Sequence, residues 1–264
     1  MACAEYALCA APSYSLTLFA YVSTDEKYMM DMNEDLKRAL DRLALGCRIL
    51  ELEGHGDMSL GHLSLRDPEG RGFWLKRNRI GLEEVRGAED FVLVNFEGKQ
   101  IAGSGGRHSE WPIHSEIFLQ RPDVLVVAHT HPRHASILSG CLERFTPYTL
   151  DADYFGELPV MRETAALIVK PEEGKALAQA MGSHDVVMMA NHGVTFCGRS
   201  IEHAICVGVF LERAARIEVL ARSAGLPQTA LAPEARAKRM AQIMTPVHWE
   251  HSFEYFARRA EAQG

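Results

Sequence analysis

The segment Asp123-Val124-Leu125-Val126-Val127-Ala128-His129-Thr130-His131-Pro132 holds the residues best placed for chemistry. Its Val-rich apolar run, bounded by Pro122 and Pro132, predicts a buried strand. Side chains alternate along a strand, so His129 and His131 project to one face and Thr130 to the other. Two imidazoles one repeat apart, where a strand runs out into a loop, can grip one metal ion. A third ligand candidate is His192, which follows the apolar run Val186-Val187-Met188-Met189 and precedes Gly193, a residue that lets the backbone turn tightly. Three neutral imidazoles leave a divalent cation its full charge and an open position, the arrangement of a catalytic site. His134 would extend the pair toward a metallo-hydrolase motif, but the residue before it is Arg133, which can neither ligate a metal nor act as a base.

The elements that must position these groups follow from periodicity. Asn33 to Glu53 carries apolar residues at mainly helical spacing, and Gly54-His55-Gly56 stops that helix. Gly61 to Asp67 reads as a strand with Leu63 and Leu65 on one face, turned by Pro68-Glu69-Gly70 onto a return strand Phe73-Trp74-Leu75. The basic loop Lys76 to Gly81 follows, then a strand Phe91–Val94. A glycine-rich loop, Gly103 to Glu110, leads into a helix from Trp111 to Gln120; it lacks the Lys-Ser/Thr of a phosphate-binding P-loop. Beyond His131 the chain reads as loop-rich through Ser139 to Glu157, then as a strand Leu167–Val169 and a helix Glu172–Met181 closed by Gly182. Ser200 is placed to cap a helix running to Ser223, with Ile201, Ala204, Ile205, Gly208, Leu211, Ala215 and Leu220 on its buried face. A Pro-containing linker, a last basic helix and the tail His248 to Tyr255 complete the chain.

The 264 residues suffice for one sizeable domain, assigned to residues 32–264, with residues 1–31 expected as a poorly ordered N-terminal extension. A net charge of -7 argues against nucleic acid or an anionic membrane surface as partner. No apolar run approaches the ~20 residues of a membrane span. Six scattered cysteines without a Cys-x-x-Cys pair suggest reduced thiols and a cytoplasmic setting.

Taken in order, Gly61-His62-Leu63-Ser64, His108-Ser109-Glu110-Trp111 with His114, Arg121-Pro122-Asp123-Val124, His129-Thr130-His131-Pro132 and Asn191-His192-Gly193 resemble the class II aldolase/adducin family, over about Asn33 to Ala221. That group includes fuculose- and ribulose-phosphate aldolases. The resemblance implies a three-layer α/β/α fold around a mostly antiparallel sheet. It makes His129, His131 and His192 the ligands of one divalent ion per subunit, Zn2+ first, with Mn2+, Fe2+ or Co2+ as alternatives. It makes Glu110 the acid/base. It also implies a homotetramer with active sites at subunit interfaces, where His251 and Tyr255 of the tail could serve a neighbour's site.

The chain departs from the sugar-phosphate aldolase pattern where small hydroxyl residues would hold the phosphate. His62 with Ser64, the Lys76 to Arg79 loop, and His108-Ser109 stand there instead. Cationic or imidazole groups at His62, Lys76, Arg79 and His108 suit a planar carboxylate or a hydroxylated ring better than a phosphate. The Gly-His-x-Ser variant is similar to family members that decarboxylate hydroxylated aromatic or pyridine acids. The expectation is a metal-dependent carbon–carbon lyase acting on a small hydroxy acid. Retro-aldol cleavage, an iron-dependent oxygenase and a non-catalytic adducin-like module are the alternatives.

Overall fold

A computed structural model describes residues 32–263 apart from 142–144, 146, 148, 228 and 230, so the expectation for residues 1–31 lies outside the described residues. The first helix, α1 (Glu34–Leu50), starts where Asn33 accepts a hydrogen bond from the Asp35 amide, and Glu34 and Asp35 complement its positive end. Its Leu36, Leu40, Leu43, Cys47 and Leu50 form the buried stripe that helical spacing predicts. It passes into a wider helical turn, Glu51–His55, in which Gly54 takes a φ of 96° and His55 is carried into the interior.

Eight strands then build one sheet in the order β4-β3-β2-β1-β5-β8-β7-β6. They are β1 (His62–Arg66), β2 (Phe73–Lys76), β3 (Phe91–Val94), β4 (Gln100–Ala102), β5 (Val126–Thr130), β6 (Val160–Met161), β7 (Val186–Met189) and β8 (Gly193–Gly198). Every pairing is antiparallel except that of β6 with β7. The β1–β2 turn is fastened by Asp67, whose carboxylate accepts from the amides of Glu69 and Arg71 and from the Trp74 indole.

Alternation along the strands separates two cores. Leu63, Leu65, Val126, Ala128 and Phe196 face a layer that contains α1, α5 (Ile201–Ser223) and α7 (His248–Glu261). Phe73, Leu75, Val127 and Val187 face α2 (Trp111–Gln120) and α4 (Pro171–Met181) on the other side. This is the three-layer α/β/α arrangement with a mostly antiparallel sheet. Ser200 caps α5 by accepting from the His203 amide, and Gly182 ends α4 at a φ of 57°. No described helix is long and apolar enough to cross a membrane.

Several expectations are corrected. The stretch after His131 is not simply loop: α3 (Arg133–Cys141) forms there, nucleated by Glu212, which accepts from the amides of His134 and Ala135. That cap comes from α5, far along the chain, so local pattern did not reveal it. Leu167–Val169 is not a strand; its Ile168 amide is instead bonded by the Glu110 carboxylate. Leu220 is exposed rather than buried. The tail is helical from His248 onward, burying Phe253, Phe256, Ala257 and Ala260. Between α5 and α7, α6 (Pro233–Ile243) buries none of its residues.

Candidate metal centre

The site lies on the α2/α4 side of the sheet. Residues directly opposite on antiparallel strands share a face, and β1 pairs with β5 so that His62 opposes His129. Across the other edge of β5, His129 opposes Thr195 of β8. His131 follows β5, and His192 sits in the β7–β8 turn, where Asn191 takes a φ of 58°. Gly193 is required here by close approach: a Cβ on it would stand 2.5 Å from the His131 ring and 2.6 Å from the Thr130 carbonyl. Glu110 immediately precedes α2, so the helix start delivers its carboxylate to the same place.

One nitrogen from each of His129, His131 and His192 lies within 4.8 Å of the others. Hydrogen bonds identify which nitrogen is free in the rings of His129 and His131. The Nδ1 of His131 is 3.0 Å from the Asp57 carboxylate, which accepts only, so that nitrogen carries the proton. The Nδ1 of His129 is 3.1 Å from the Val194 carbonyl and 3.2 Å from the Thr195 hydroxyl, with the same result. Both Nε2 atoms are therefore bare, and they face each other at 3.1 Å. Two lone pairs at that distance, with no hydrogen to share, repel unless a cation lies beside them. The spacing is also close to the ~3.3 Å that two nitrogens adopt at ~2.05 Å from one tetrahedral ion. The donor set thus fits a divalent metal, and Asp57 and the Val194 carbonyl are its orienting partners.

Burial depresses the pKa of all three imidazoles, that of His129 well below the usual histidine range; neighbouring rings add to the effect at His129 and His192, whereas Asp57 opposes it at His131. The shifts favour the neutral form that ligation requires. Glu110 is buried, and desolvation raises its pKa. Its Oε1 accepts from the Ile168 amide at 2.9 Å and stands 4.0 Å from His192 Nε2. Its Oε2 stands 3.8 Å from His129 Nε2 and 3.7 Å from His62 Nε2. His62, Glu110 and His129 make a second convergent triad. Because both triads use the single lone pair of His129 Nε2, they are alternative positions for one ion rather than two sites.

The other expected site residues are distributed unevenly. His62 is buried with its ring centre 5.2 Å from that of His129, and His108 packs against it at 4.5 Å. Ser64 is buried one layer deeper, with Oγ on His114 Nδ1 at 2.7 Å. Lys76 belongs to β2 rather than to a solvated loop. It is fully buried, its ammonium donates to the carbonyls of Arg77 and Ile80, and burial brings its pKa down to about 8. Arg79 is exposed on a turn at a φ of 63°, and Ser109 is exposed. His251 and Tyr255 line a separate shallow cleft on α7 with Phe210 and Arg213. His134 turns away to Glu212, its Nδ1 2.6 Å from the carboxylate. Asp57 and the role of His114 were missed by sequence reasoning. Asp57 follows a glycine-rich helix stop, and nothing local marks it as a partner of His131, 74 positions later.

A cavity of about 770 Å3 opens beside His131 and His192, bordered by Asp57, Arg133 and Asn191. The fold thus converges three imidazoles and a buried carboxylate, with two of the imidazoles lining that cavity, into a cluster that could hold a metal ion. Residues 41–219 match the family model for the class II aldolase and adducin N-terminal domain, and the chain belongs to that family. It is 32% identical over 203 residues to a 3,4-dihydroxyphthalate decarboxylase from Arthrobacter keyseri, covering 71% of this chain and 80% of that one. An aldolase II superfamily protein from Pseudomonas syringae matches with a TM-score of 0.79 at 25% identity, over 89% of this chain and 97% of that one. The L-fuculose 1-phosphate aldolase from Glaciozyma antarctica shares the fold, with a TM-score of 0.75 at 23% identity over 87% of this chain and 90% of that one.

Proposed function

We propose that the protein is a divalent-metal-dependent carbon–carbon lyase that decarboxylates a non-phosphorylated, hydroxylated aromatic or heteroaromatic acid. The observation that carries this reading is the pair of bare Nε2 atoms on His129 and His131, 3.1 Å apart, with His192 beside them. Zn2+ is the first choice of metal, held by His129, His131 and His192. When bound, such an ion withdraws charge from a substrate oxygen conjugated to the carbon that loses CO2. The relative that decarboxylates dihydroxyphthalate supports the substrate class.

The chain's own groups supply the rest. Asp57 and the Val194 carbonyl hold two of the imidazoles in the ligating tautomer. Glu110, protonated more readily than an exposed glutamate because it is buried, is anchored through Oε1 by the Ile168 amide and faces the cluster with Oε2. As the carbon–carbon bond breaks, its electron pair stays on the ring carbon and CO2 departs. Glu110 then donates its proton to that carbon and regains one from solvent. Buried walls around Glu110 keep water from competing for that proton.

The test is turnover of zinc- or manganese-loaded protein under anaerobic conditions with hydroxyaryl carboxylates and, separately, aliphatic hydroxy-keto acids. Release of CO2 supports decarboxylation, whereas release of an aldehyde assigns an aldolase. A strict requirement for iron and O2 refutes the lyase reading. Within the same proposal the working unit is a homotetramer, in which Tyr255 and His251 of one subunit reach a neighbour's cavity; sedimentation at several protein concentrations tests it.

A further inference from the structure

Behind His62 runs a chain of buried hydrogen bonds whose direction can be worked out from its far end. The Val127 carbonyl, which can only accept, takes the hydrogen of the Ser64 hydroxyl at 3.4 Å. Ser64 Oγ is 2.7 Å from His114 Nδ1, so His114 carries its proton on Nδ1 and leaves Nε2 as an acceptor. His62 Nδ1 lies 2.7 Å from that Nε2 and must donate to it. This leaves the Nε2 of His62 without a hydrogen.

The opposite direction, with Ser64 donating into His114, would put a hydrogen on His62 Nε2. That atom is buried and has no hydrogen-bond partner among the described residues. Its nearest carboxylate oxygen, on Glu110, is 3.7 Å away, beyond hydrogen-bond reach. A buried N–H without an acceptor is more costly than an unfilled lone pair, so the first direction is the stable one.

Resting on the reading of the cluster as a substrate site, we infer that His62 is a specificity-determining residue whose bare Nε2 accepts a hydrogen bond from a substrate hydroxyl, with His114 and Ser64 as its positioning residues. It selects against groups that only accept. A carboxylate or phosphate oxygen set against this atom would bring two lone pairs together, whereas a phenolic or alcoholic O–H satisfies it. This narrows the expectation that an imidazole at position 62 suits a carboxylate or a hydroxylated ring to the second of the two. An ether in place of the hydroxyl has no hydrogen to give and leaves a buried acceptor unpaired, the kind of mismatch that discriminates strongly.

Nitrogen NMR of the full chain labelled with 15N-histidine reads the tautomer directly, with His62→Leu used to assign the resonances. The expected spectrum shows Nδ1–H on both His62 and His114 and an unprotonated Nε2 on His62, with or without zinc. Adding catechol to the zinc-loaded protein should shift His62 Nε2, whereas 1,2-dimethoxybenzene at the same concentration should not. Catechol affinity should fall at least tenfold in His62→Leu. An Nε2–H tautomer at His62 overturns the inference. So does catechol binding that shifts the rings of His129, His131 and His192 but leaves His62 unmoved, an outcome that leaves the metal reading intact. Failure of zinc to reach the three ligand rings would refute the proposed function instead, while the tautomer of His62 in the metal-free protein still decides this point. If the leucine variant does not fold, the spectra of the unaltered chain, assigned from Ser64→Ala, carry the test.

Discussion

The histidines packed on the two faces of β5 and its end differ in one respect. On the α1/α5 face, both ring nitrogens of His55 are engaged, Nδ1 with the Thr130 hydroxyl at 2.8 Å and Nε2 with the Gly208 carbonyl at 3.0 Å. On the α2/α4 face, His129 and His131 each have Nδ1 engaged by a protein acceptor, and their Nε2 atoms face each other without a hydrogen between them. Burial is not the distinction, since His55 and His129 are both fully buried. A ring with both nitrogens satisfied braces the fold, here tying the turn after α1 to β5 and α5. A ring with one nitrogen fixed and the other bare is prepared for a ligand. The surplus lone pair, rather than residue type or depth, separates a structural histidine from a functional one.

The sharpest way to break this comparison is to remove a bare nitrogen. His131→Ala should lower bound metal from about one ion per chain to background, with the far-ultraviolet circular dichroism unchanged. A variant that still binds metal stoichiometrically would show that the facing nitrogens are not ligands. Next in size, Glu110→Gln should keep the metal and lose about 10²- to 10⁴-fold in turnover, the usual scale for a positioned proton donor. Full activity would remove Glu110 from the chemistry. Smaller again, Asp57→Asn should weaken metal affinity by about 10- to 100-fold, measured by chelator competition, because it disturbs only the partner of His131.

On the braced face the expected effects are on stability alone. Thr130→Val leaves His55 Nδ1 unpaired and should cost about 1–3 kcal/mol in denaturant unfolding, with metal content unchanged. The pH dependence has a definite sign. Burial lowers the His55 pKa to about 4, below the unfolded value of about 6.5. Above about 6.5 the ring is neutral in both states and its effect on stability is constant. Below it the unfolded chain binds the proton first, so stability falls as pH drops toward 4. In metal-loaded protein, His55→Gln should flatten that decline; an unchanged slope would place the acid sensitivity elsewhere.

Much of this architecture was legible in the chain. The start of α2 at Trp111 and the span of α5 from a Ser200 cap follow from spacing and capping, because both are decided by neighbours within a turn. The segment Leu167–Val169 misled because β-branched and aliphatic composition favours a strand, yet its Ile168 amide is bonded by the Glu110 carboxylate, a tertiary contact that composition does not reveal. Helix α3 was hidden for the converse reason, since its cap, Glu212, lies 78 positions beyond His134. Lys76, expected in a basic loop as a substrate-binding cation, instead ends β2 with its ammonium donating to two backbone carbonyls, a placement set by strand pairing.

The sequence by itself determined that His129 and His131 share a face, because the two-residue period of a strand is a local property of the backbone. It singled out Gly193 beside His192 as a turn residue, but the left-handed turn is taken by Asn191, and what requires a glycine at 193 is the nearness of the His131 ring and the Thr130 carbonyl. Only the tertiary structure decided which nitrogens are bare. That depends on acceptors such as Asp57, Val127 and Val194, brought alongside by strand pairing and loop packing. A ring's tautomer is set by what lies against it, and what lies against it here is distant in the chain.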